Sequence, residues 1–354
     1  MIITIFNVKY DNISTQKLNL TDYYLTILPD EIFTFVNLQK LHLERNNLFK
    51  LPPEIIKFKK LKKIYLGRNN LVEIPIEIEY LTNLEKIDLN TNNLISIPLQ
   101  IKYLKKLKYL FLNNNNLTNI PEEIGELTQL KCLFLQYNKI ICIPSEISKL
   151  INLQYLYLYQ NSILTIPDAF GNLINLNSLA LNNNNLSNLP STFKNLINLT
   201  NLNLSNNNFD DIPIQICELT KLKELFLNNN NINTIPSEIH NLKKLELLYI
   251  CKNKLKYINL NYSFLPQIKT IILTNNNLIN IPHNFVNFKN ALVIDETCYD
   301  IDNLNVNMTK IIFTRLNTTI TTLPINLKEI WIKKTIDKKL LQKIPFGCKI
   351  IEFT

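Results

Sequence analysis

Histidine and cysteine, the residue types that most often perform covalent or metal chemistry, are sparse in this chain and widely separated. The three histidines are His42, His240 and His283, and they do not share a metal-ligand spacing. The six cysteines occur one at a time and form no C-x-x-C pair. Only four glycines are present, and none belongs to a phosphate-binding loop or a nucleophile elbow. We therefore expect no enzyme, no metal and no cofactor.

Aromatic residues recur at a fixed interval and offer binding chemistry instead. In the middle of the chain Phe111, Phe134 and Tyr157 are 23 residues apart, and tyrosines flank them. Exposed aromatic clusters mark interaction surfaces, and Tyr is a common interface anchor. Cross-strand packing that only stiffens a sheet is the alternative explanation. The predicted partner-binding residues are Tyr109, Phe111, Phe134, Tyr137, Tyr155, Tyr157, Tyr159, Phe226 and Tyr249.

The elements that must position these rings follow from the leucines, which share the same interval. Residues Leu107 to Gln129 carry the pattern L-x-x-L-x-L-x-x-N, followed by L-x-x-I-P. Eleven frames of 23 residues run from Leu38 to the frame that begins at Ile268, after a degenerate frame at Thr15. A fixed period in this range indicates a stacked repeat array. Each alternating x-L-x-L-x segment predicts a short strand, and the proline after it suits the first turn of a short helical return.

One asparagine position does not vary across the eleven frames, whereas the neighbouring asparagine positions do. In a stack these amides should be buried and should bond the backbone of adjacent turns, because a buried amide needs partners for both its donor and its acceptor. The predicted ladder is Asn46, Asn69, Asn92, Asn115, Asn138, Asn161, Asn184, Asn207, Asn230, Asn253 and Asn276.

These residues resemble the leucine-rich-repeat superfamily, specifically its 23-residue class, over residues 15–290. That class includes Ras-group-related plant proteins, Ras-suppressor-like proteins and scaffolds of the Scribble type. The resemblance implies an α/β fold: a curved solenoid, or horseshoe, with a parallel concave sheet and short helical or irregular convex returns. It also implies a protein partner bound on the concave sheet. Some members bind Ras-like GTPases, and regulation of such a pathway is a further alternative that no motif here carries over.

Three parts are predicted along the chain: an N-terminal cap over residues 1–14, the repeat array over 15–290, and degenerate shorter repeats with a C-terminal cap over 291–354. The last part contains a P-x-N-L-x-x-I-x-I segment that resembles short repeats of slime-mould and giant-virus proteins. An unrelated small cap is the alternative for this region.

The charge pattern supports a second function hypothesis. The chain has 38 Lys and Arg against 29 Asp and Glu, a formal net charge of +9. Lysines cluster where the chain returns into a strand, so they should form one flank, away from the aromatic residues. Such a flank could bind an anionic surface, either nucleic acid or membrane, although nucleic-acid grooves usually combine charge and aromatics on one face. The flank lysines are Lys57, Lys59, Lys60, Lys62, Lys63, Lys102, Lys105, Lys106, Lys108, Lys243 and Lys244.

Isolated cysteines predict reduced thiols and a cytoplasmic protein. The first residues lack the basic and apolar regions of a secretory signal, and no apolar run approaches the length of a membrane span. We expect a monomeric, non-catalytic interaction module or scaffold that binds a protein partner rather than nucleic acid or membrane.

Overall fold

The computed structural model describes residues 2–5, 8–11, 13–258, 260, 264–278, 291–294, 310–313, 320, 323 and 325–353. The chain divides into two compact units, residues 1–180 and 181–354. This division differs from the predicted boundaries at residues 14 and 290, which stay predictions.

The first unit holds a short hairpin and a parallel sheet. Ile2–Ile5 (β1) and Val8–Asp11 (β2) pair antiparallel, where the sequence pattern suggests one short strand. The later strands pair in parallel and in chain order, and each residue faces the residue 23 positions further on. These strands are Lys17–Asn19 (β3), Lys40–His42 (β4), Lys63–Tyr65 (β5), Lys86–Asp88 (β6), Tyr109–Phe111 (β7), Cys132–Phe134 (β8), Tyr155–Tyr157 (β9) and Ser178–Ala180 (β10).

Short 3-10 helices form the returns of the first unit. Each follows a proline in extended conformation, and the proline carbonyl accepts the first bond of the turn, as from the Ile124 amide to Pro121 at 3.1 Å. The tight turn suits a return of so few residues. These helices are Asp30–Thr34, Pro53–Lys57, Ile76–Tyr80, Leu99–Tyr103, Glu122–Glu126, Ser145–Lys149 and Asp168–Asn172.

The second unit repeats this arrangement, and its strands also pair in parallel and in chain order. They are Asn201–Asn203 (β11), Glu224–Phe226 (β12), Leu247–Tyr249 (β13), Thr270–Ile272 (β14), Ala291–Ile294 (β15), Lys310–Phe313 (β16), Glu329–Lys333 (β17) and Lys349–Phe353 (β18). Its described 3-10 helices are Ser191–Asn195, Ile214–Glu218, Ser237–Asn241 and Lys338–Leu340.

In both units the leucines that alternate along a strand point to the same side and are buried. Leu110 and Leu112 have no exposed surface, and neither do Leu225 and Leu227 in the second unit. The returns cover them with residues such as Ile124. Because burying one such side chain stabilises the fold by about 1.5–3 kcal/mol, the repeated frame supplies the core. The other side of each sheet, called the sheet face below, is open to solvent.

The asparagine column joins consecutive repeats. Asn115 Nδ2 donates to the carbonyls of Leu112 and Leu89, each at 3.0 Å, and its Oδ1 accepts from the Leu94 amide at 3.0 Å. The ladder residues are buried, except that Asn138 and Asn161 are half-buried rather than buried as expected. They keep the same bonds, so the amide column satisfies backbone groups that the irregular turns would otherwise leave unpaired.

The helices given above are at most five residues long, and none in the described chain has the length or apolar character to cross a bilayer.

Candidate functional site

Five predicted binding residues form one continuous aromatic stack on the sheet face of the first unit. Phe111 and Phe134 stack with ring centroids 4.8 Å apart, and Phe134 and Tyr157 with centroids 4.5 Å apart. These three rings occupy equivalent positions of β7, β8 and β9 and are half-buried. Tyr159 extends the contact from Tyr157 at 6.5 Å, and Tyr137 meets Tyr159 edge-on at 5.3 Å.

Tyr109 and Tyr155 border this stack on the first residue of their strands. Both are exposed, at 36% and 37%, and Cys132 lies between them in register. No ring contact is found for these two tyrosines among the described residues. The first unit therefore holds seven of the nine predicted binding residues in adjacent repeats.

Tyr137 stands in an unusual backbone position that the sequence reasoning missed. It lies in the turn after β8 with φ of 57°, and the equivalent residue of each neighbouring repeat is also left-handed, such as Asn114 at 56°. Asparagine tolerates this region, whereas a bulky tyrosine is strained there. Strained residues cluster at functional sites, and Tyr137 is 48% exposed. A tyrosine at a position otherwise often held by asparagine was the available signal.

Gln136 lies beneath this corner of the stack. It is 8% exposed, and its Oε1 accepts no hydrogen bond from any residue that the structure describes. Burial raises the pKa of Tyr159, and a hydrogen bond with the Gln136 side chain partly opposes this shift. The corner thus holds a buried acceptor oxygen together with a tyrosine hydroxyl that stays protonated at neutral pH.

A lysine column borders the aromatic stack on the same sheet face and was missed from the sequence. Lys17, Lys40, Lys63 and Lys86 are the first residues of β3 to β6 and face one another in register. The column continues into Tyr109 on β7. The Lys86 ammonium lies 4.8 Å from the Tyr65 ring centroid and 4.7 Å from that of Phe111. The 23-residue spacing of these lysines was the signal that a local charge count overlooks.

The expectation that the lysines and the aromatics occupy different faces is therefore wrong for Lys63, which lies in a strand. Other predicted flank lysines do lie on or beside the returns, and several already bond neighbouring side chains. Lys60 and Lys106 each donate to an asparagine at 2.7 Å, and Lys105 pairs with Glu126 at 2.8 Å. The lysines thus fall into two groups with different surroundings.

The sheet face of the second unit is smaller in side-chain bulk and mostly uncharged. Phe226 and Tyr249 are the two predicted binding residues there, with centroids 4.8 Å apart and planes tilted by 34°. Next to them Asn228 Oδ1 accepts from the Cys251 amide at 3.1 Å. The amide groups of this face largely bond one another or the backbone.

The described residues offer little for catalysis. His42 stacks on Tyr65 at 4.4 Å and its Nδ1 lies 3.1 Å from Glu44, on an open face. Burial lowers the pKa of His240, which packs against Phe264. His283 lies outside the described residues. No group of three or more metal-ligating side chains occurs within the described ranges.

The fold and its open, aromatic sheet face define a repeat protein of the class that typically binds other proteins. The chain belongs to the leucine-rich-repeat family. Residues 96–203 match the model of a leucine-rich repeat region, and residues 36–94 and 197–255 match that of the leucine rich repeat. No curated protein matches the chain.

Solved structures agree with this assignment. A leucine-rich-repeat protein of Leptospira interrogans is 32% identical with a TM-score of 0.67, over 95% of this chain and 83% of that chain. The plant peptide hormone receptor RGFR1, in complex with RGF2, is 28% identical with a TM-score of 0.62, over 90% and 63%. A chain of the complex of Latrophilin 3, Unc5D and the leucine-rich-repeat protein FLRT2 is 26% identical with a TM-score of 0.63, over 77% and 85%.

Proposed function

We propose that this chain is a non-catalytic protein-interaction module whose partner docks on the sheet face of the first unit. The aromatic stack carries the proposal. It presents ring edges over three adjacent strands, with exposed tyrosines at its border. Large aromatic side chains held in place by their neighbours lose little entropy on binding and are the usual anchors of interfaces.

Stiffening of the sheet accounts for the stacked rings but not for the rest of the patch. Tyr137 takes a strained backbone conformation and still leaves about half of its side chain exposed. The buried Gln136 oxygen next to it has no donor within the described chain, and an unsatisfied buried acceptor costs about 1–3 kcal/mol. A partner that supplies a donor here would remove that cost, and this favours binding over stiffening.

The relatives support a partner of protein nature. The complex of RGFR1 with RGF2 is a receptor with a peptide hormone, and FLRT2 is found with Latrophilin 3 and Unc5D. Regulation of a Ras-like GTPase, implied only by resemblance to some members, has no residue pattern behind it in this chain. We also propose a monomer in the cytoplasm, which sedimentation and microscopy of a tagged chain would test.

The proposed function is tested by affinity capture from a lysate of the native cells, with the full chain as bait. The test variant replaces Phe111, Phe134 and Tyr157 by serine. A matched control replaces exposed aromatics of the returns by serine, namely Phe49, Tyr80 and Tyr103, which are 59%, 50% and 49% exposed. Circular dichroism first establishes that both variants fold.

The expected result is a protein retained by the wild type and by the control variant, and lost from the test variant. Chemical cross-linking of the retained protein should then connect it to the sheet face. Loss from the control variant alone would move the site to the returns and contradict the proposal. Equal retention by all three chains would remove the aromatic stack as the anchor.

A further inference from the structure

We infer that the partner enters this face as an extended acidic segment, and this inference rests on the proposed function. Carboxylates of the segment would meet the lysine column of Lys17, Lys40, Lys63 and Lys86. Its apolar residues would lie on the aromatic stack of Phe111, Phe134 and Tyr157. The two surfaces follow one another along the same sheet face, from β3 to β6 and from β7 to β9.

The lysine column is unfavourable for the isolated chain. Neighbouring strands lie about 4.8 Å apart, so four ammonium-bearing side chains leave the sheet at that interval. Like charges directly opposite each other across strands are destabilising. Long, flexible lysine stems reduce the repulsion by spreading their ends, but they do not remove it. A row of anions brought by a partner would convert this repulsion into attraction.

The chain itself supplies no anion for this row. Among the described residues, no carboxylate forms an ion pair with Lys17, Lys40, Lys63 or Lys86. The acidic side chains nearby have other partners. Glu44 accepts from Thr21 Oγ1 and lies beside His42, both at 3.1 Å, and Glu85 pairs with Lys108 at 3.0 Å.

These existing pairs also affect titration. Its hydrogen bond with Lys108 lowers the pKa of Glu85, so Glu85 stays ionised and committed to that pair at neutral pH. The lysines of the returns are different, because Lys60, Lys105 and Lys106 already have acceptors. The column is therefore the group of lysines best placed to meet an incoming anion.

The length of the surface fits an extended peptide. Six inter-strand spacings separate β3 from β9, or roughly 29 Å, and about nine extended residues cover that distance. Side chains on one side of an extended segment repeat every ~6.6 Å, so two or three carboxylates face the lysine column. One or two apolar side chains then reach the rings.

The rings favour a peptide over a single-stranded nucleic acid. Bases bind aromatic residues by stacking on a free ring face. Phe134 has neighbouring rings on both sides, inclined by 15° and 7°, and the Lys86 ammonium lies over Phe111. Ring edges remain, and edges suit apolar side chains and peptide carbonyls better than bases. We therefore commit to a protein segment and treat nucleic acid as an outcome of the test.

The probe is a fluorescein-labelled peptide in which alternating glutamate and serine are followed by leucine, serine and phenylalanine. Binding to the full chain is measured by fluorescence anisotropy at low and physiological salt. A peptide with glutamine in place of glutamate controls for charge, and labelled oligothymidylate tests nucleic acid. The variant is Lys17→Gln, Lys40→Gln and Lys63→Gln, which leaves Lys86 on the rings.

A matched variant, Lys57→Gln, Lys60→Gln and Lys106→Gln, has the same change in net charge but lies on or beside the returns. We expect the wild type to bind the acidic peptide, with affinity falling as salt rises. The column variant should bind about tenfold more weakly, and the matched variant within about twofold of the wild type. The glutamine peptide should be as weak as the loss of the column.

Three results would overturn the inference: equal loss in the two lysine variants, no binding of the acidic peptide by the wild type at about 1 mM, or tighter column-dependent binding of oligothymidylate. If the acidic peptide fails while the lysate partner is still lost from the Phe111, Phe134 and Tyr157 variant, the proposed function stands and only the acidic segment is wrong. Urea unfolding provides a second readout, because relief of repulsion should leave the column variant at least as stable as the wild type.

Discussion

The sheet faces of the two units differ, although the same frame lies beneath both. The first unit presents four lysines and then a stack of rings, whereas β11 to β13 present a mixture of asparagine, glutamate, leucine and only one ring pair. Below the sheet, Asn115 in the first unit and Asn230 in the second make equivalent bonds to the backbone. The buried columns are therefore dictated by the fold, and the variable outward columns are free to carry binding.

This comparison predicts that deletions in the buried frame have the largest effect and that the effect is alike in the two units. Leu133→Ala and Leu225→Ala each remove a side chain without exposed surface and open a cavity. Each should lower the free energy of unfolding by about 2–5 kcal/mol. Urea unfolding measures both. A midpoint near that of the wild type for one variant only would show that the frame is not equivalent in the two units.

The next effect comes from the asparagine ladder. Asn115→Ala and Asn230→Ala each leave three buried backbone groups without a partner. A loss of about 1–3 kcal/mol in unfolding free energy is expected for each. Asn138→Ala, at a half-buried position, should fall at the lower end of this range because water can replace part of the lost bonding. Equal values at the buried and half-buried positions would contradict this account of the burial difference.

A smaller effect separates the two faces. Phe134 stacks on two rings and Phe226 contacts one, so Phe134→Ala removes one more ring pair than Phe226→Ala. Each such pair contributes about 0.5–1.5 kcal/mol beyond its buried area. Phe134→Ala should therefore be more destabilising by about that amount in urea unfolding. A greater cost for Phe226→Ala would mean that the first face is not the better-ordered surface.

The smallest effect is chemical and needs no change in stability. Burial raises the pKa of the Cys132 thiol, which lies between Tyr109 and Tyr155, and it raises that of Cys217 to about 12. Since the thiolate is the reactive form, iodoacetamide should modify Cys132 slowly at pH 8 and faster as the pH rises, while Cys217 should stay unmodified. Exposed Cys142 serves as the internal reference. Peptide mass spectrometry measures each rate, and bound partner should slow the reaction of Cys132 alone.

The residues of the core and of the ladder could be predicted from sequence because their spacing is fixed by burial. The outward columns were harder, because nothing forces them to repeat. Lys60 and Lys63 belong to one charge run in the sequence, yet Lys60 lies beside a return and Lys63 points out from β5. The left-handed turn that holds Tyr137 also escaped prediction, since its backbone conformation is set by the stacking of turns and not by the local residues.

The most direct test of the central claim is calorimetric titration of the captured partner against two face variants of the full chain. One variant carries Phe111→Ser, Phe134→Ser and Tyr157→Ser, and the other carries Phe226→Ser and Tyr249→Ser. We predict that the first variant loses at least about tenfold in affinity and that the second keeps the wild-type value. The reverse order, or an equal loss in both, would contradict the assignment of binding to the first face.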